Sequence, residues 1–208
     1  MEALPSISSN ALAEWYRDCV FSEDWTSQNF SYWAELLRPY QTLQLSVLEI
    51  GSWEGRSALF FLNYLPHCRI TCVDTFAGGE EHLFDPEWKA PMPYIEQRFD
   101  SNLERFKSRV EKIKADSHKA LGELGIARRR FDLVYVDGSH RASDVYADAV
   151  LSWPMLSRRG ILIFDDYEWP HGRDEQDRPK LGIDTFLWNF LNQYTVRSRG
   201  YQIAIQKL

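Results

Sequence analysis

The spacing of apolar residues changes character near residue 45. Before it, apolar positions follow a helical period. In "DWTSQNFSYWAELL", Phe30, Trp33, Leu36 and Leu37 share one face, with Thr26 or Ser27 as the expected N-cap and Pro39 as the stop. After it, apolar runs of strand length alternate with helical stretches. "LQLSVLEI", "RITCVD", the weaker "VEKIKAD", "FDLVYVD" and "GILIFDD" read as five strands. The stretches "GRSALFFLNYL", "YIEQRFDSNLERFKSRV", "SHKALGELG", "ASDVYADAVLSW" and "GIDTFLWNFLNQ" follow them as helices, and "YTVRSR" with "YQIAIQKL", parted by Gly200, reads as a closing hairpin. Strand–helix alternation of this kind predicts an α/β protein: a doubly wound parallel sheet with helices on both faces and an antiparallel strand at one edge. Residues 1–44 form a helical extension packed on a domain spanning 45–208.

Ligands of such sheets bind beyond the carboxyl ends of the strands, so the residues that follow each run carry the functional argument. After the first strand comes "EIGSWEGRS", where Gly51 and Gly55 let the backbone turn tightly and a helix N-terminus follows. Bulky Trp53 and Glu54 between the glycines, and Glu49 before them, disfavour a pyrophosphate and with it a nicotinamide dinucleotide. A cationic ligand suits this loop better. Asp74 after the second strand stands where a ribose diol is bound, or serves as a turn residue. Asp116 and Ser117 after the third stand where an adenine edge is read, or cap the next helix.

The fourth and fifth strands end in "VDGSH" and "FDDY". Neighbouring parallel strands lie about 4.8 Å apart, so Asp137, Asp165 and Asp166 converge if these two strands are adjacent. Three such carboxylates repel one another unless a cation holds them, and an all-oxygen set favours Mg²⁺, or Mn²⁺ or Ca²⁺. The bland alternative is a loop cap, or pairing of Asp165 and Asp166 with Arg173, Arg178 or Lys180. His140, off the same strand end as Asp137, is a candidate general base. Two long polar segments, Ala77–Pro93 and Tyr167–Lys180, should overhang this face. Their His82, Phe84, Trp88, Tyr167, Trp169 and His171 are either substrate walls or loop anchors.

A net charge of -6 opposes general nucleic-acid binding. Three cysteines, Cys19, Cys68 and Cys72, make neither a disulfide framework nor a zinc set, and the last two read as small buried hydrophobes. With neither a signal-peptide pattern nor a membrane-length apolar run, a soluble cytoplasmic protein is expected.

The succession "VLEIGSWEGRS", "ITCVDTF", "KADSHKAL", "FDLVYVDGSH" and "GILIFDDY", then a helix and a hairpin, resembles the class I S-adenosylmethionine-dependent methyltransferases. The resemblance implies a seven-stranded Rossmann-like sheet in the order 3-2-1-4-5-7-6 with the last strand antiparallel. It also implies S-adenosyl-L-methionine as cofactor, with Glu49, Gly51 and Gly55 at its methionine end, Asp74 at its ribose, and Asp116 and Ser117 at its adenine. Ser52, Trp53, Ser57 and Thr75 complete that set. "DGSH" with the downstream "DD" further resembles the metal-dependent O-methyltransferases that act on sugar hydroxyls of macrolide and related antibiotics. This implies Mg²⁺ on Asp137, Asp165 and Asp166, and His140 as base, because Ser139 stands where related enzymes place an aspartate. The implied partner is a small-molecule acceptor rather than nucleic acid or membrane, with self-association left open. The competing readings are a metal-independent methyltransferase on another acceptor atom and a non-catalytic binding or oligomerising protein on the same fold.

Overall fold

The computed structural model describes residues 7–79, 91–169 and 174–208. Seven strands form one sheet: β1 (Ser46–Ile50), β2 (Arg69–Asp74), β3 (Val110–Lys114), β4 (Phe131–Val136), β5 (Leu156–Phe164), β6 (Tyr194–Arg199) and β7 (Ile203–Lys207). Their order is β3-β2-β1-β4-β5-β7-β6, with the first five parallel and β7 antiparallel to both neighbours. This is the expected Rossmann-like arrangement. The described helices are α1 (Ser9–Trp15), α2 (Phe30–Leu37), α3 (Arg56–Tyr64), α4 (Ile95–Leu103), α5 (Ser117–Ile126), α6 (Ala142–Ser152) and α7 (Pro179–Asn189).

Side chains alternate across a strand, so each central strand feeds two cores. Val47, Leu133, Tyr135, Ile161 and Ile163 pack with α2, α3 and α4 on one face. Leu48, Ile50, Val134, Val136, Leu162 and Phe164 pack with α5, α6 and α7 on the other. The N-terminal tryptophans divide between tasks. Trp33 is wholly buried, Trp15 meets Phe60 edge-on at 6.0 Å, and Trp25 lies over Trp53 at 5.7 Å.

Several boundaries differ from the sequence pattern. No side-chain cap bond is made at Thr26, because a 3-10 turn (Ser27–Asn29) precedes α2 and the Ser27 hydroxyl is taken by Arg56. The long charged helix expected to run to Val110 stops at Leu103, where a 3-10 turn (Glu104–Phe106) lets the chain enter β3. β5 begins four residues before Gly160, with Arg159 at φ 65° where its pairing with β4 shifts register. Cys68 and Cys72 are buried and free, as expected. Among the described residues no helix is long and apolar enough to cross a membrane.

The sheet register sets the site. Ile50 pairs with Val73 and Val136, and Val136 pairs with Phe164, so these strands end at one level. The chain leaves β1 towards β2 on one side and returns from β3 to β4 on the other. That reversal opens a crevice between β1 and β4.

Candidate active site

A cavity of about 960 Å³ runs along this rim. At one end are the loop after β1, Asp74, Thr75, Ala115 and the start of α5; at the other are Asp137, His140, Asp165, Asp166, Trp169 and Tyr201. Phe21, Glu23, Trp25, Thr26 and Gln28 roof it from the N-terminal segment. The segment is pinned there. Glu54, buried, accepts from the Ser22 amide at 2.6 Å and from Arg98 at 2.6 Å, Asn102 bonds both backbone groups of Val20, and Arg56 bonds Asp24 at 2.6 Å. The extension is thus part of the pocket wall, a role that the aromatic count alone did not reveal.

The loop after β1 is shaped by three left-handed residues: Gly51 (φ 85°), Trp53 (φ 47°) and Gly55 (φ 81°), the last being the N-cap of α3. Asp74 holds it. One carboxylate oxygen accepts from the amides of Ser52 and Trp53 at 2.8 and 2.7 Å, and the other accepts from Phe76 at 2.6 Å. Asp74 therefore lines the cavity where a diol was expected, and it also stitches the loops after β1 and β2 together. Asp74→Ala would leave three amides without their acceptor. It is expected to weaken binding of S-adenosylhomocysteine at least tenfold by calorimetry; unchanged affinity would assign Asp74 neither role.

Ser52, Trp53, Ser57, Asp116 and Ser117 also face the cavity. Asp116 accepts from His118 and Lys119 as the N-cap of α5, so the capping role is present at the expected adenine position. Glu49 does not reach the cavity wall. It is fully buried behind the loop and accepts from Ser57 at 2.5 Å, and among the described residues its other oxygen has no partner. Burial, against the hydrogen bond from Ser57, raises its pKa to about 7. Its influence on a ligand passes through Ser57 and the loop.

At the other end, β4 and β5 are neighbours, and Asp137 and Asp165 directly follow the paired residues Val136 and Phe164. Asp166, at φ 58°, turns its side chain into the same corner. The buried Tyr135 hydroxyl lies between Asp137, at 2.9 Å, and Asp165. Asp165 also accepts from Gln202 at 2.8 Å, and Asp166 accepts from Tyr201 at 2.6 Å. Among the described residues, no lysine or arginine pairs with these three carboxylates; Lys180 is bound to Asp184 instead. Burial and mutual repulsion raise the pKa of Asp137 well above the ordinary carboxyl range, and burial with the Asp166 charge raises Asp165 to about 7. Burial and these same anions keep Tyr135 protonated. Among the described residues, no three His, Cys, Asp or Glu side chains stand as a ready metal-ligand set. Tyr135 bridges two of the expected ligands, and Asp166 is turned to His140. The donor chemistry nonetheless suits a hard cation: three neighbouring carboxylates that, among the described residues, no lysine or arginine meets.

His140 Nε2 is 2.9 Å from Asp166 Oδ2, and its ring stacks on Trp169 at 4.4 Å and 8°. Ser139 bonds Asp144 and accepts from the Arg141 amide, so it shapes the turn into α6. Of the overhanging segments, Tyr167 is buried and bonded to Asp184, and Trp169 lines the cavity. His82, Phe84, Trp88, His171 and Arg173 lie outside the described residues. Tyr135, Tyr201 and Gln202 were not singled out by sequence. Tyr135 sits inside a strand run, and the other two lie in what reads as an ordinary hairpin turn.

Residues 48–167 match a family described as a methyltransferase domain. No curated protein matches the sequence. Among solved structures, MycE of the mycinamycin biosynthetic pathway, in complex with Mg, S-adenosylhomocysteine and mycinamycin VI, superposes with TM-score 0.64 at 18% identity over 96% of this chain. The chain spans 54% of that protein's length. The O-methyltransferase NovP gives 0.62 at 15% identity, covering 86% of this chain and 78% of its own. The calicheamicin methyltransferase CalS11 gives 0.61 at 18%, covering 88% and 80%.

Proposed function

The chain belongs to the methyltransferase-domain family, and from that premise we propose that it moves a methyl group from S-adenosyl-L-methionine to a hydroxyl of a small molecule, assisted by a divalent cation such as Mg²⁺ on Asp137, Asp165 and Asp166. The supporting observation is that one cavity joins the glycine loop, Asp74 and Asp116 to the acidic corner and His140. Donor and acceptor subsites are therefore continuous, as transfer between them requires. MycE is known in complex with both Mg and S-adenosylhomocysteine, in keeping with that pairing.

The charge of the wall fits the donor. Glu23, Glu54, Asp74, Asp116 and Asp144 line it besides the three carboxylates, and Arg56 is committed to Asp24. A sulfonium and an ammonium are attracted there; a phosphorylated acceptor is repelled. The acceptor is thus uncharged or cationic.

When bound, the cation lowers the pKa of an acceptor hydroxyl. His140 would take the hydroxyl proton on a ring nitrogen, and the oxygen so freed would bond to the methyl carbon as its bond to the sulfonium sulfur breaks, releasing S-adenosylhomocysteine. Asp166 and Trp169 fix the plane of the His140 ring for this purpose. Asp74 and the glycines shape the loop that positions the donor, while Trp25 and Trp53 shield that end from water.

The Tyr135 bridge favours one competitor: metal-free transfer in which the aspartates only orient His140. Transfer of labelled methyl to a panel of neutral diols and catechols separates the two. The proposal expects EDTA to stop turnover and His140→Ala to slow it about 10²–10⁴-fold. Chelator-insensitive turnover selects the competitor, and full activity of His140→Ala removes the base.

A further inference from the structure

The tip of the β6–β7 hairpin does more than close the sheet edge. Gln202 is 4% exposed, and its amide joins two partners. Its Oε1 accepts from Trp33 Nε1 at 2.7 Å, and its Nε2 donates to Asp165 Oδ2 at 2.8 Å. The two ends of an amide are opposite in hydrogen-bonding sense, and Trp33 decides which way this one faces. An indole N–H only donates, so the amide oxygen must face Trp33 and the NH₂ must face Asp165. Trp33 cannot turn away, because Phe60, Phe61 and Tyr135 enclose its ring with centroids 5.0–5.3 Å distant. The other Asp165 oxygen accepts from the Asp166 amide at 2.8 Å. Neither Trp33 nor Gln202 lines the cavity, so any influence on a ligand passes through Asp165.

We propose that Gln202 is a positioning residue for Asp165, with its polarity set by Trp33. Together they hold the Asp165 side chain in one rotamer beside Asp137 and Asp166, and so tie helix α2 to the proposed ion site. This rests on the reading of Asp165 as a cation ligand. With the amide reversed, a carbonyl oxygen would face the carboxylate. With no amide, Asp165 would lose one of the two donors on Oδ2 and turn more freely.

The test is Mn²⁺ binding to the full chain by electron paramagnetic resonance, with S-adenosylhomocysteine affinity and thermal midpoint measured on the same samples. Gln202→Met, similar in size but without the amide, is expected to weaken Mn²⁺ roughly 10- to 100-fold and to leave S-adenosylhomocysteine affinity unchanged. Trp33→Phe keeps a ring and loses the donor; it too should weaken Mn²⁺, and added to Gln202→Met it should weaken it no further. Wild-type Mn²⁺ affinity in Gln202→Met would overturn the proposal, as would additive losses in the double variant. Equal losses for both ligands with a lowered midpoint would reduce the pair to packing and also overturn it. A wild-type chain that binds S-adenosylhomocysteine but no Mn²⁺ would overturn the cation reading, and this inference with it, before any substitution is made.

Discussion

Gly51→Ala is expected to abolish S-adenosylhomocysteine binding and to lower stability by about 3 kcal/mol or more. Two independent costs combine. At φ 85° an L side chain is strained, and a Cβ there would stand 1.9 Å from the Asp137 carbonyl oxygen and 2.7 Å from Gly138 Cα. These are backbone atoms, so no rotamer change relieves the clash. Nor can the strands part cheaply, because the Gly51 amide is bound to Val73 O at 2.9 Å and the Asp137 amide to Ile50 O at 2.8 Å. Gly55→Ala is the comparison. Its Cβ would meet the Leu103 and Phe99 side chains at 3.1–3.2 Å, and these can shift. It shares the positive φ but not the backbone collision and should be less damaging. Calorimetry and urea denaturation of both variants check this; near-wild-type stability of Gly51→Ala would show that the β1 and β4 ends are not locked together.

Asp165→Asn is expected to make the metal-free protein more stable at pH 8, by about 1–3 kcal/mol, while removing Mg²⁺ or Mn²⁺ binding. The sign follows from the raised folded-state pKa. Between its ordinary value of 3.8 and about 7, the folded protein holds a proton on Asp165 that the unfolded chain has released. Stability therefore falls as pH rises through that interval and stays reduced above it. Asp137 acts in the same direction, as do Glu49, raised to about 7, and Asp148, raised to about 6, both by burial. The asparagine variant removes the Asp165 charge and keeps an amide oxygen towards Tyr135 and Gln202, while its NH₂ faces the Asp166 amide and the bond accepted there is lost, which offsets part of the gain. Thermal melts from pH 5 to 8, with and without Mg²⁺, read both halves. The wild type should gain most from Mg²⁺ at the alkaline end and the variant nothing. A variant less stable than wild type at pH 8 would mean that the three anions are already balanced.

The sheet was legible because each central strand carries a short, mostly apolar run closed by a glycine or an acid. The two-faced burial of Val47 against Leu48, or of Tyr135 against Val136, follows from that pattern alone. The convergence of Asp137 and Asp165 required only that β4 and β5 be neighbours, which the residues alone left open, the family resemblance implied and the sheet order bears out. Other elements turned on contacts distant in sequence. Asp74 proved to anchor a loop as well as face the cavity, because its partners are backbone amides, which carry no residue signature. Glu49 was expected at the cofactor's methionine end, and its place behind the wall depends on Ser57, the second residue of α3. Tyr135, Tyr201 and Gln202 carried no motif, and they matter only because the hairpin brings its tip to the ends of β4 and β5. The long charged helix failed for the opposite reason. Its Glu, Gln, Arg and Lys residues favour helix, and the need to enter β3 ends it at Leu103.

The bond between Trp33 and Gln202 joins positions 169 residues apart, and this bears on how the protein folds. Contacts so remote close late, after the loops between them have been drawn in. Pairing of β4 with β5 gathers Asp137, Asp165 and Asp166, and docking of β7 on β5 then adds the Gln202 and Tyr201 bonds that fix Asp165 and Asp166. The same edge is the natural place for the native state to fray. A chain whose central strands are intact but whose hairpin has lifted would keep its glycine loop and lose the Gln202 and Tyr201 bonds that hold Asp165 and Asp166 in place, so the two halves of the cavity need not share one stability.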